Sequence, residues 1–64
     1  MTAWQDRVVQ ERIDLETKQK KLTVFMDSED GKNVSVPERK RLHRQMLVME
    51  LYSEILADRI EAFV

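Results

Sequence analysis

Trp4, Arg7, Glu11, Lys18 and Phe25 recur at spacings of three, four and seven, which places them along one edge of a helix, with Lys21 a little further round. An aromatic face beside guanidinium and ammonium groups is what a nucleotide requires: a ring to stack on a base, and cations to meet phosphates. The same residues admit a plainer reading. Trp4 can simply close the end of a helical pair, while Arg7 and Lys18 pair with Glu11 and Asp14 at helical spacings.

Little else in the 64 residues offers chemistry. There is no Gly-rich phosphate loop, no His-x-x-x-His pair and no serine elbow. Glu11 and Glu16 lack the Glu-x-x-His companion of di-iron bundles. With His43 as the single histidine and no cysteine, a metal site would rest on carboxylates alone, so neither metal, cofactor nor catalysis is expected. The basic run Arg39-Lys40-Arg41, with Arg44, could meet phosphates. Beside Glu38 it reads as a solvated face, and cations this close to a helix start oppose the macrodipole.

Charge and hydropathy narrow the partners. Eleven Lys and Arg against twelve Asp and Glu leave a net charge of −1, which argues against duplex nucleic acid or an anionic membrane. No apolar run approaches the roughly 18 residues that span a bilayer, and the first residues lack the features of a signal peptide. A soluble protein of a reducing cytoplasm is the expectation.

Two elements must carry these residues. From Ala3 to Met26 nothing breaks a helix, giving about 24 residues and about 36 Å at 1.5 Å per residue. Asp27 to Asn33 is a polar cluster holding the only glycine, where the chain reverses. Ser35 caps a second helix, Glu38 stands where a reciprocal capping-box carboxylate belongs, and Pro37 is tolerated in the first turn. The sequence therefore predicts an all-α fold with a single domain over 1–64: two long antiparallel helices forming a hairpin, helix one about 3–26, turn 27–35, helix two about 36–63.

The apolar pattern exceeds what one hairpin uses. Trp4, Val8, Leu15, Leu22 and Met26 form a seam on helix one, and Leu42, Met46, Met49, Ser53, Leu56, Ile60 and Phe63 its counterpart on helix two, flanked by Gln45 and Tyr52. Val9, Ile13 and Val24, with Thr2 and Thr17, point elsewhere. On helix two, Val48 and Ile55 occupy one further side, Leu47 and Leu51 another. Six of the seven residues from Met46 to Tyr52 are apolar or aromatic, and a helix apolar all round has neighbours on all sides. A core in this size range supplies only about 3–5 kcal/mol, so a homo-oligomer is expected, with Val9, Ile13, Val24, Leu47, Val48, Leu51 and Ile55 at its interface.

The segments Trp4-Gln5-x-Arg7-Val8-x-x-Glu11, Asp14-Leu15-x-x-Lys18, Lys21-Leu22-x-x-Phe25 and Leu42-x-x-Gln45-x-x-x-Met49-x-x-Tyr52-x-x-x-Leu56-x-x-Arg59-Ile60 span nearly the whole chain. Together they resemble the helical hairpin of the phage anti-CBASS cyclic-nucleotide sponges and the related anti-Thoeris sponges. The resemblance implies a small phage protein acting in the host bacterial cytoplasm during infection and assembling into a compact hexamer. It implies non-catalytic sequestration of cyclic dinucleotides such as cGAMP, and in some members cyclic trinucleotides, in pockets between subunits. By motif position the ligand residues would be Trp4, Lys18 and Arg7, with Lys21 on the same flank and Arg59 at a second pocket. Two features depart from the family: Trp4 stands where tyrosine is expected, and the turn is acidic and holds Gly31. The rival expectation is an oligomeric interaction module or small phage regulator that grips a protein partner; a DNA-binding regulator resting on Arg39 to Arg44 runs against the charge balance.

Overall fold

The computed structural model describes residues 1–63. Helix α1 runs Ala3–Asp27, α2 is a single turn Glu29–Lys32, and α3 runs Val36–Glu61. α1 and α3 pack antiparallel in a body measuring 45 × 15 × 13 Å, which is two helices thick and one helix long. The all-helical hairpin agrees with the sequence expectation, with both long helices starting and ending within about two residues of the predicted bounds.

Both long helices are started by side chains. At α1, Thr2 and Gln5 form a reciprocal capping box: Gln5 N–H donates to Thr2 Oγ1 at 3.4 Å, and Thr2 N–H donates to Gln5 Oε1 at 2.8 Å. The spacing Thr-x-x-Gln carries this signal, although Thr2 was expected only as part of an outward stripe. At α3, Ser35 Oγ accepts from Glu38 N–H at 3.2 Å as predicted. The expected reciprocal arm is replaced, because Glu38 Oε1 accepts instead from Arg41 Nε at 2.7 Å. A charged donor one turn ahead outcompetes a neutral backbone amide.

The connection is more ordered than a polar turn. Ser28 ends α1, donating its hydroxyl to the Phe25 carbonyl, and starts α2 by accepting from Gly31 N–H at 3.1 Å. Glu29 and Asp30 sit in the first turn of α2 and Lys32 in the last, the arrangement the macrodipole favours. Arg39 Nη2 reaches back to the Gly31 carbonyl at 2.8 Å, so this member of the basic run fastens the turn. Gly31 is buried for a steric reason: a Cβ there would collide with the Phe25 carbonyl oxygen and lie 2.9 Å from Met26 Cα.

The core is small. Among the described residues the buried hydrophobics are Val8, Leu15 and Leu56, with Met49, Ile60 and Phe63 packed against them. Every other residue of the predicted α3 seam is at least half-buried, and on α1 Leu22 and Met26 are likewise, while Trp4 remains 48% exposed. The accessible surface of 5033 Å² exceeds the roughly 4,300 Å² that size scaling gives a compact monomer of 7.7 kDa. Several large apolar side chains stand in water. Ile13, Val24, Leu47, Val48, Leu51 and Ile55 are 49% to 70% exposed, while Val9 is half-buried. On α3 the four residues are not two separate stripes: Leu47, Leu51 and Ile55 follow one another at i, i+4, Val48 adjoins them, and the resulting band lies on the side away from the core.

Candidate functional site

The positions 7, 11, 14 and 18 repeat at four, three and four residues, so α1 presents Arg7, Glu11, Asp14 and Lys18 as one row beside its seam. Across the hairpin, α3 brings Tyr52 to the same side. Between them lies an open groove of about 420 Å³ lined by Arg7, Gln10, Glu11, Asp14, Leu15, Lys18 and Tyr52. Leu15 belongs to the core, so the groove is anchored to the best-packed part of the molecule.

Neither cation of this groove is neutralised by direct contact. Among the described residues the ion pairs are Arg12 with Glu16 at 3.1 Å and Arg41 with Glu38 at 2.7 Å. The pairing of Arg7 and Lys18 with Glu11 and Asp14 that helical spacing allows does not form. Asp14 Oδ1 accepts instead from Gln10 Nε2 at 2.9 Å. Arg7 and Lys18 thus stand in a shared depression with an exposed phenol ring opposite, an arrangement able to receive an anion carrying a planar group.

The remaining predicted ligand residues lie around this groove. Trp4 is turned to the far end of α3, where its ring meets Phe63 edge-on. It closes the hairpin end, as the plainer sequence reading had it, and still leaves nearly half its surface free. Lys21 is exposed about one turn beyond Lys18, and Arg59 lies seven residues after Tyr52 on the same row of α3; neither lines the groove. Tyr52 was expected only as a flanking residue of the seam. Its place in the groove depends on the register between the helices, which the turn sets and periodicity alone does not.

A second groove of about 380 Å³ lies along α3, lined by Arg41, Arg44, Gln45, Val48 and Met49. It gathers two cations of the basic run, one of them tied to Glu38. Among the described residues no group of three or more His, Cys, Asp or Glu side chains is placed to hold a metal ion, and no helix is long and apolar enough to cross a membrane.

Compared with known proteins, residues 2–62 match the family model described as Sequestin. No curated protein and no solved structure matches the chain.

Proposed function

We propose that this chain, which belongs to the Sequestin family, is a non-catalytic sponge that holds host cyclic oligonucleotide signals, cyclic dinucleotides such as cGAMP foremost and cyclic trinucleotides secondarily, and so blocks CBASS signalling in the host bacterial cytoplasm during phage infection. A sequestering family agrees with the resemblance carried by the motifs along both helices. The observation that bears most weight is the groove in which Arg7 and Lys18, free of ion pairs, face Tyr52. Cations and a ring hold a nucleotide without transforming it.

Assembly completes the reading. One groove carries two cations and two carboxylates, a balance of zero, whereas a cyclic dinucleotide brings two phosphate charges. Copies packed through the outer band of α3 and through Ile13 and Val24 would bring further cations and the free face of Trp4 to a shared pocket, as in a hexamer. Lys21 and Arg59, outside the groove of one chain, are then available to pockets between chains.

Isothermal titration of the purified chain with 3′,3′-cyclic GMP-AMP and with cyclic triadenylate tests the proposal. Saturable heat with the ligand recovered intact supports it; no heat from a well-folded sample sinks it. The exposed band on α3 also suits a module that grips a partner helix, and that reading predicts indifference to every nucleotide offered.

A further inference from the structure

The outer face of α3 is apolar in its middle and oppositely charged at its two ends. Arg44, Leu51 and Asp58 follow one another at seven-residue intervals, each about 20° round from the last, and Val48 and Ile55 fall between them to complete the stripe. All five are exposed, on the side turned away from Met49 and Leu56. At 1.5 Å per residue about 21 Å separates Arg44 from Asp58, too far for them to meet within one chain. Among the described residues neither enters an ion pair.

This order is self-complementary in one direction only. A second copy laid alongside in parallel sets Arg44 on Arg44 and Asp58 on Asp58, like charge on like. Turned antiparallel about a two-fold axis beside Leu51, it sets Arg44 against the partner's Asp58, and symmetry repeats the pair at the other end. Leu51 then meets the partner's Leu51, and Val48 meets the partner's Ile55. Lys40 comes level with the partner's Glu61 to within one residue, which adds a second charge pair at each end. Arg41 and the partner's Arg59 approach on the flank, outside the contact face, and Arg41 brings Glu38 with it. A foreign helix would have to carry this charge order reversed; a second copy carries it already.

We infer that α3 docks on α3 of a second copy, antiparallel about a two-fold axis at Leu51, with Arg44 on the partner's Asp58 at both ends of an apolar contact formed by Val48, Leu51 and Ile55. The inference rests on the assembly invoked for the sponge and adds a symmetry and a register; its test needs no nucleotide.

The chain has no cysteine, so single cysteines report the register without background. A disulfide requires Cα atoms within about 7 Å of each other. Oxidised with diamide and run under denaturing conditions, Leu51→Cys should appear chiefly as a covalent dimer. Arg44→Cys and Asp58→Cys should each stay monomeric alone and cross-link when mixed before oxidation, a pair that leaves the aliphatic contact intact. Self-linkage of Arg44→Cys to the same yield as Leu51→Cys would establish parallel pairing and overturn the inference. Failure of both Leu51→Cys and the mixed pair to cross-link would overturn it too. Either failure leaves the sponge standing if the wild-type chain takes up cyclic nucleotide, whereas the expected cross-links from a chain that binds none would uphold the two-fold and overturn the sponge.

Discussion

Trp4 and Phe63 meet edge-to-face, with ring centroids 5.1 Å apart and planes at 84°, so the first turn of α1 is clasped to the end of α3. The contact lies at the open end of the hairpin, opposite the turn, where two helices would otherwise fray. An edge-to-face pair is worth about 0.5–1.5 kcal/mol beyond the area it buries. Phe63→Ala should therefore lower stability by about 1–2 kcal/mol in chemical denaturation, and Trp4 emission should shift to the red as its ring gains water. A variant with unchanged midpoint and emission would show that the clasp does not hold in solution.

The other end of the hairpin is held by the absence of a side chain. At Gly31 the obstacle to a Cβ is the backbone of α1, the Phe25 carbonyl and Met26 Cα, which cannot rotate out of the way. Gly31→Ala should cost about 2 kcal/mol or more, the range for forced overpacking, while Lys32→Ala one residue on should be nearly neutral. Paired thermal melts decide it; equal midpoints for the two variants would remove the steric argument.

These two ends also mark the limit of what periodicity reveals. The α3 seam from Leu42 to Phe63 was legible because helical spacing alone sorts residues onto faces, and a face that is mostly apolar has to be covered. The turn α2 was not legible as helix. Glu29 to Lys32 has no apolar pattern, and its order comes from Ser28, Gly31 and Arg39 acting across the connection. The swap at Glu38 was hidden for a related reason, since both the backbone at Ser35 and the guanidinium of Arg41 lie within its reach and only relative strength decides. The groove was half legible: the row Arg7, Glu11, Lys18 is a helical repeat, whereas Tyr52 enters through the register of α3 against α1. Trp4 was legible both as a stacking ring and as the closure of the hairpin end, and its ring meets Phe63 while about half its surface stays free.

Lys18 separates the ligand reading from the structural one. It is exposed and makes no ion pair among the described residues, so removing it should leave the fold unchanged. Lys18→Ala should keep its unfolding free energy within the few tenths of a kcal/mol typical of surface changes, yet weaken cyclic GMP-AMP by about tenfold or more, the scale of one charged hydrogen bond. Arg12→Ala is the matched control, because Arg12 is paired with Glu16 and does not line the groove. Equal affinities in both variants would take Lys18 out of the site.

The outer band of α3 makes the sharpest demand on assembly. Leu51 is 58% exposed, with Leu47 and Ile55 one turn to either side, so a solvated hairpin would present three aliphatic side chains in a row to water. Covering each of them is worth about 1.5 kcal/mol or more, comparable to what one residue of the sparse core contributes. If copies cover this band, Leu51→Glu forces a charge into an apolar contact and should reduce the light-scattering mass by at least one subunit class at micromolar concentration. Circular dichroism on the same sample separates dissociation from unfolding: a helical species of lower mass identifies the band as an interface, and joint loss of mass and helicity shows that the hairpin depends on its neighbours. A wild-type chain that scatters as a monomer, or a Leu51→Glu chain of unchanged oligomeric mass, would place the interface elsewhere and leave the groove of a single hairpin to bind its ligand alone.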